Sequence, residues 1–97
     1  MVKIVENNPG DFQFHFISSS GSSLLKSISF PSEADAQAIL TKAMANPVFE
    51  RGTNHQGKFL ITLKTVGGEQ IGQSNTYSSE AGMENGIKNL MRSLSKG

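Results

Sequence analysis

Two stretches of the chain alternate between hydrophobic and polar residues, a pattern typical of β-strands with one buried face. Residues 12–16 read Phe-Gln-Phe-His-Phe, and residues 59–64 read Phe-Leu-Ile-Thr-Leu-Lys. A period of two places the rings of the first stretch on one face. A serine-rich loop at 18–23 and the Gly67-Gly68 pair follow the two stretches, so each predicts a hairpin. Short apolar strands at 2–5 and 48–51 precede the hairpins, and 24–29 is the first return strand.

A helix is predicted after each hairpin. Ser32 and Ser79 stand before acidic residues and have the character of N-caps. Pro47 ends the first helix because proline disfavours helical geometry in the residue before it. Apolar residues at helical spacing form one stripe on each helix. The stripes comprise Ala36, Leu40, Ala43 and Met44 in the first helix, and Met83, Ile87, Leu90, Met91 and Leu94 in the second.

Residues 10–43 are echoed 47 positions later, and the substitutions between the copies keep the physical class of the residue. A period of this length indicates one supersecondary unit used twice. We therefore predict one domain over 1–97, made of a first repeat (1–47) and a second repeat (48–97). Each repeat is too short for a core of its own. The predicted fold is a two-layer α+β pseudo-dimer of tandem β-β-β-α repeats, with one antiparallel sheet and both helices on one face.

Composition narrows the functional classes. Nine Lys and Arg against eight Asp and Glu give a formal charge of +1, far from the basic excess of a dedicated nucleic-acid binder. The chain has no cysteine, which excludes disulfides and thiolate metal sites. Its first residues lack the apolar core of a signal peptide, and it has no long apolar run. We expect a cytoplasmic protein.

Residue patterns of catalysis and metal binding are missing from the sequence. His15 and His55 lack the spacing of a zinc motif, and the serines of 18–23 do not form a nucleophile elbow. The acidic residues Glu33, Asp35 and Glu80 are explained by helix starts. We therefore predict a protein that is not an enzyme and has no catalytic residues, metal or cofactor.

The second copy resembles the YegP-like family, small and mostly bacterial domains of uncharacterised function. The resemblance rests on the Phe49-Glu50 pair, on 57–59, on Gly68-Glu69-Gln70-Ile71, and on Ser74, Tyr77, Ser79, Ala81 and Asn85-Gly86-Ile87. It implies a duplicated β-β-β-α unit, with exchange of a strand between units left open, and supplies no catalytic residues. The first copy departs from the pattern, with Phe30 for the tyrosine and 38–40 reading Ala-Ile-Leu.

The sheet face opposite the helices is the candidate partner surface. It is expected to bind a protein, and the chain to be a monomer. Two alternatives stay open: a weak single-stranded nucleic-acid binder using Lys88, Arg92 and Lys96, and a small-molecule carrier using a groove beside Gly82 and Gly86 near the second helix. Inward-facing aromatics speak against the first. The candidate surface residues, from the long central strands of the two copies, are Gln13, His15, Ile17, Leu60, Thr62 and Lys64.

Overall fold

The computed structural model of the protein describes residues 1–95. Its elements are β1 (Val2–Asn8), β2 (Asp11–Ile17), β3 (Ser23–Ser27), α1 (Glu33–Ala45), β4 (Val48–Thr53), β5 (Phe59–Lys64), β6 (Gln70–Ser74) and α2 (Glu80–Ser95). The strands form one antiparallel sheet in the order β1-β2-β3-β6-β5-β4, and both helices pack on it. The predicted α+β fold is confirmed. Within residues 1–95, no helix is long and apolar enough to cross a membrane.

Side-chain caps fix where the helices begin. The Ser32 hydroxyl accepts a hydrogen bond from the Asp35 amide at 3.1 Å, and the Ser79 hydroxyl accepts one from the Gly82 amide at 3.0 Å. Each bond satisfies an amide that the first helical turn leaves without a partner. Asn46 caps the end of α1, immediately before Pro47. The predicted helix boundaries are therefore confirmed at these positions.

The core lies between the sheet and the two helices. Its fully buried large side chains are Phe14, Phe16, Leu25, Ile61, Leu63 and Leu90. One member of the predicted α2 stripe was wrong, since Met91 is 51% exposed. Met91 follows Met83 by eight residues, which at 3.6 residues per turn rotates it about 80° away from the stripe. Leu94 also belongs to the predicted stripe, but its side chain is not among those that the structure describes.

The two halves of the sheet meet at its centre, where β3 pairs with β6. The expectation that β2 and β5 are central holds only within each half, because both lie one strand in from an edge. No strand is exchanged between halves in the described sheet. At the junction, a Cβ on Gly72 would lie 2.8 Å from Leu25 Cδ2 and 2.8 Å from the Lys26 carbonyl oxygen. Leu25 therefore fills space that only glycine leaves open.

Positions 47 residues apart make matching backbone contacts. The Ser27 hydroxyl accepts a hydrogen bond from the Phe14 amide, and the Ser74 hydroxyl accepts one from the Ile61 amide, both at 2.9 Å. Each hydroxyl then donates to the carbonyl of the residue that follows it, at 2.8 Å. The two serines thus satisfy backbone amides of β2 and β5 at the points where β3 and β6 end.

Candidate functional site

The side of the sheet turned away from the helices carries a continuous row of side chains, which we call the outer row. Each member is in direct register with the next on the neighbouring strand, so the row crosses the whole sheet. In sheet order the members are Lys3, His15, Lys26, Gln73, Thr62 and Glu50. The first half of the chain supplies two lysines and a histidine, whereas the second half supplies only neutral and acidic groups.

Two of the predicted surface residues are occupied by contacts within the protein. The Gln13 side chain accepts a hydrogen bond from Asn7 Nδ2 at 2.6 Å and donates one to the Ser27 carbonyl at 2.8 Å. Lys64 Nζ pairs with the Glu50 carboxylate at 3.0 Å. Any partner that recruited these groups would first have to replace those bonds, so they are weak candidates for recognition.

Three further predicted residues offer little surface on this face. Thr62 is only 8% exposed, because the adjacent strands place Glu50 and Gln73 directly beside it. The expectation that Thr62 is accessible to a partner was therefore wrong. Leu60 is half-buried beside Gly52 on the edge strand. Ile17 lies at the end of β2, beyond the outer row, and its carbonyl accepts a hydrogen bond from Ser93 of α2.

His15 is the one predicted residue with a buried polar atom that has no hydrogen-bond partner among the described residues. This atom is Nε2 of the imidazole. Lys26 and Lys3 stand directly opposite it on the two adjacent strands, and both are exposed. Burial of the imidazole lowers the His15 pKa, and the two ammonium groups lower it further. We call Lys3, His15 and Lys26 the cationic cluster.

Like charges directly opposite one another on a sheet destabilise it. In residues 1–95, neither Lys3 nor Lys26 has a carboxylate within salt-bridge distance. An anion bound over His15 would relieve the repulsion between the two ammonium groups. The cluster is therefore an electrostatic site built from three strands.

Two grooves lie on the helix side, at matching ends of the molecule. The α1 groove, of about 370 Å³, lies between the end of α1 and the β5–β6 loop. The α2 groove, of about 790 Å³, lies between the end of α2 and the β2–β3 loop. Each groove thus combines the helix of one half with the hairpin loop of the other. Within residues 1–95, no set of three His, Asp or Glu side chains is placed to bind a metal ion.

The space beside Gly82 and Gly86 is filled. The Tyr77 ring lies against α2 there, and a Cβ on Gly86 would be 2.6 Å from Tyr77 Cζ. The expectation of a ligand groove beside these glycines was therefore wrong, because the closely approaching group is an aromatic ring of the protein itself. The groove that does exist near the second helix, the α2 groove, lies toward its other end.

The structure describes only part of the basic stripe that a nucleic-acid strand was expected to contact. Lys88 and Arg92 are exposed on α2, and Lys96 lies outside the described residues. The aromatic rings face inward, with Phe14 and Phe16 fully buried and Phe30 9% exposed. The remaining aromatic side chains pack against this core. Stacking platforms for bases are therefore missing from the described surface.

Comparison with known proteins finds a family similarity in the second half of the chain. Residues 54–96 match the model of a domain of unknown function, DUF1508. This segment is similar to a DUF1508 domain. It comprises β5, β6 and α2, including the Tyr77 and Gly86 pair. The predicted resemblance to the YegP-like family is thereby confirmed.

Two curated relatives are similar to most of this chain. A UPF0339 protein of Pseudomonas aeruginosa is 28% identical over 87 residues, which span 86% of this chain and 79% of the relative. A UPF0339 protein from the 5′ region of the ptx operon of Stutzerimonas stutzeri is 24% identical, spanning 91% of this chain and 83% of the relative.

Two solution NMR structures share the fold of this chain. The protein of unknown function yegP from E. coli superposes with a TM-score of 0.85 at 22% identity, covering 97% of this chain and 84% of that chain. A UPF0339 protein from Shewanella oneidensis gives a TM-score of 0.84 at 24% identity, covering 94% of this chain and 80% of that chain. The β5, β6 and α2 elements of the segment that is similar to DUF1508 are thus set in the same α+β architecture.

Sequence reasoning missed the two lysines of the cationic cluster. Lys3 stands between the apolar residues Val2 and Ile4 on an edge strand, and Lys26 is on a short return strand. Alternation alone would have placed each on the outer side of its strand. Their alignment with His15 depends on the register of three strands, including a bulge beside Phe16 that shifts β3 against β2.

Proposed function

We propose that this protein is a cytosolic, non-enzymatic interaction module that binds an acidic segment of a protein partner at the cationic cluster. The observation that carries the proposal is the placement of Lys3 and Lys26 on either side of His15, in direct register and without carboxylate partners in the described chain. The His15 imidazole, whose pKa is lowered, acts as a hydrogen-bonding group between the two charges.

The geometry fits an extended peptide. Lys3 and Lys26 are two strand spacings apart, about 10 Å. Two carboxylates three residues apart in a polyproline II segment, which has three residues per turn and rises about 3.1 Å per residue, lie on the same side and are separated by a similar distance. Complementary charge at such a site contributes specificity and association rate more than raw affinity. The cluster would therefore select segments with acidic residues at that spacing.

A nucleic-acid strand fits this surface less well. Glu50 lies at the far end of the same row, and the aromatic rings face the core. Two lysines give few phosphate contacts, and few contacts mean weak affinity at physiological salt. The acidic peptide is therefore the preferred occupant.

The test replaces the three residues of the cationic cluster with the residues at the matching positions of the second half. The triple variant Lys3→Glu, His15→Thr and Lys26→Gln gives the first half of the outer row the residues of its second half. Binding of a fluorescent peptide with glutamates three residues apart is measured by anisotropy, with a glutamine version of the peptide as the ligand control. The wild type is expected to prefer the acidic peptide, and the triple variant to lose at least about tenfold in affinity, about 1.4 kcal/mol.

A matched variant controls for overall charge. Lys42→Gln with Lys88→Glu changes two lysines in the same way on the helices, away from the outer row, and is expected to bind as the wild type does. Equal losses of peptide affinity in both variants would show that binding depends only on net charge, which would overturn the proposed site. Tighter binding of a labelled oligothymidine than of the peptide, lost in the triple variant, would establish the nucleic-acid alternative instead.

A further inference from the structure

The two grooves are built from positions 47 residues apart, yet they differ in chemistry. On the helix side, Lys42 and Ala45 line the α1 groove where Asn89 and Arg92 line the α2 groove. The loop positions differ as strongly. The β5–β6 loop contributes Thr65, Val66, Gly67 and Glu69 to the α1 groove, whereas the β2–β3 loop contributes Ser18, Ser19, Ser20 and Ser22 to the α2 groove. The α1 groove can therefore serve as an internal control for the α2 groove.

Charge distinguishes the grooves. The α1 groove carries one ammonium, from Lys42, and one carboxylate, from Glu69. The residues that line the α2 groove include Arg92 and no carboxylate. Within residues 1–95, the Arg92 guanidinium makes no salt bridge, since the described ion pairs belong to Arg51 and Lys64. A planar fork of donors is therefore available on the α2 groove wall.

Hydroxyl groups face Arg92 across the α2 groove. Ser18 Oγ and Ser20 Oγ share a hydrogen bond of 2.8 Å, and Ser18 Oγ also accepts one from the Ser22 amide at 3.2 Å. Ser19 and Ser22 are exposed, and their hydroxyls have no hydrogen bond to another described residue. The loop therefore presents donors that can adjust by rotation about a single bond.

We propose that the α2 groove is a binding site for a small phosphate monoester such as a sugar phosphate. Arginine and several hydroxyl donors match the oxygens of a phosphate group, and the arginine fork can bind two of them at once. The volume of about 790 Å³ is within the range of small-molecule sites. Leu24, half-buried in the groove wall, offers an apolar surface for the rest of the ligand.

The helix end limits the affinity. Arg92 lies in the last turn of α2, where the helix dipole is negative and opposes a bound anion. Arg92 offsets this field, but the groove is open and holds one guanidinium. We therefore expect a dissociation constant of about 1 mM, about −4 kcal/mol.

The test is an NMR titration of the full-length, ¹⁵N-labelled protein with ribose 5-phosphate, using ribose as the control ligand. Amide shifts are expected in 18–22 and 89–93 with the phosphate ester and not with ribose. Arg92→Ala, which gives the α2 groove the residue found in the α1 groove, is expected to weaken binding at least about tenfold. Arg92 is exposed, so loss of binding does not reflect loss of the fold.

A reciprocal variant tests sufficiency. Ala45→Arg with Glu69→Ser gives the α1 groove the arginine and serine of the α2 groove at two exposed positions. Shifts at 65–69 and around residue 45 are expected to appear on titration of this variant. Three outcomes would overturn the proposal: no shifts at about 20 mM ligand, shifts confined to the cationic cluster, or equal binding by wild type and Arg92→Ala. Failure of the reciprocal variant would contradict recognition by Arg92 and Ser22.

Discussion

The hydroxyl end of Tyr77 occupies the space where a side chain on Gly86 would lie. A Cβ at residue 86 would be 2.6 Å from Tyr77 Cζ and 3.2 Å from Cε1. In the first half, Phe30 and Ile39 stand at the positions 47 residues earlier, so neither the tyrosine nor the glycine is repeated there. Burial also raises the pKa of the Tyr77 hydroxyl, which keeps the ring neutral beside the helix.

Gly86→Ala is expected to destabilise the protein. Alanine favours a helix over glycine by about 1 kcal/mol, but the new methyl group would displace the Tyr77 ring, and overpacking of this kind typically costs about 1–3 kcal/mol. We expect a net loss of about 1–2 kcal/mol in urea unfolding. The Tyr77→Leu background should remove most of the loss, because a leucine side chain does not extend over residue 86.

Gly82→Ala is the matched control for this prediction. A Cβ there would lie 3.3 Å from Ser79 Oγ and 3.7 Å from Tyr77 Cδ1, so little has to move. The helix propensity of alanine should then make the variant neutral or more stable. A Gly86→Ala protein as stable as Gly82→Ala would show that the Tyr77 contact is not restrictive.

Removing the hydroxyl of Ser27 or Ser74 is expected to destabilise the fold by similar amounts. Each substitution to alanine leaves one strand amide without its partner, that of Phe14 or that of Ile61. An unsatisfied buried donor costs about 1–3 kcal/mol. Urea unfolding of the two variants measures the cost, with exposed Ser19→Ala as the control. A near-zero change at both positions would refute the role assigned to these hydroxyls.

Stability is expected to fall as the pH drops below about 6.5, the ordinary pKa of histidine. Because the folded-state pKa of His15 is lower, the unfolded chain binds more protons between the two pKa values. That contribution to stability is complete above the unfolded pKa and stops changing below the folded one. Chemical denaturation at a series of pH values measures the slope. His15→Thr introduces the residue found at the matching position, Thr62, and should remove the part of the slope that is due to His15.

Two variants test whether the fall in stability at low pH comes from His15 or from acid in general. Lys26→Gln should raise the His15 pKa, measured by NMR, because it removes one repelling charge. His55→Thr changes an exposed histidine in the β4–β5 loop and should keep the slope due to His15. At more acidic pH a second decline is expected, since a hydrogen bond from Arg51 lowers the pKa of Glu84. An unchanged slope in His15→Thr would contradict the assignment.

The isolated fragment 1–46 is expected neither to fold alone nor to form a stable dimer. Alone it exposes the β3 edge and part of the core. In a dimer built like the whole protein, Leu25 of each copy would meet Leu25 where the chain has Gly72. Circular dichroism and light scattering test this. The full chain should be monomeric at 10.4 kDa, and a folded monomeric fragment would contradict the shared core.

Local chemistry explains why much of the fold could be predicted. The alternation of Phe14 and Phe16 with polar residues fixed a buried face, and Ser32 marked a helix start through a bond to a residue three positions later. Such signals span a few residues and depend on backbone geometry. The α+β class therefore followed from the chain alone.

The candidate site depended on relationships that no local pattern contains. Thr62 is buried because of side chains on two other strands, and Lys3 joins His15 only through strand register. The position of Tyr77 over Gly86 was foreseen only as a close approach of some backbone. Tertiary placement decided each of these cases.

The unequal junction at Leu25 and Gly72 bears on stoichiometry. A symmetric homodimer repeats every surface, so a site away from its axis is present twice. Two halves joined covalently are free of that constraint, and here the outer row is cationic on one side only. Each molecule should therefore bind one acidic partner.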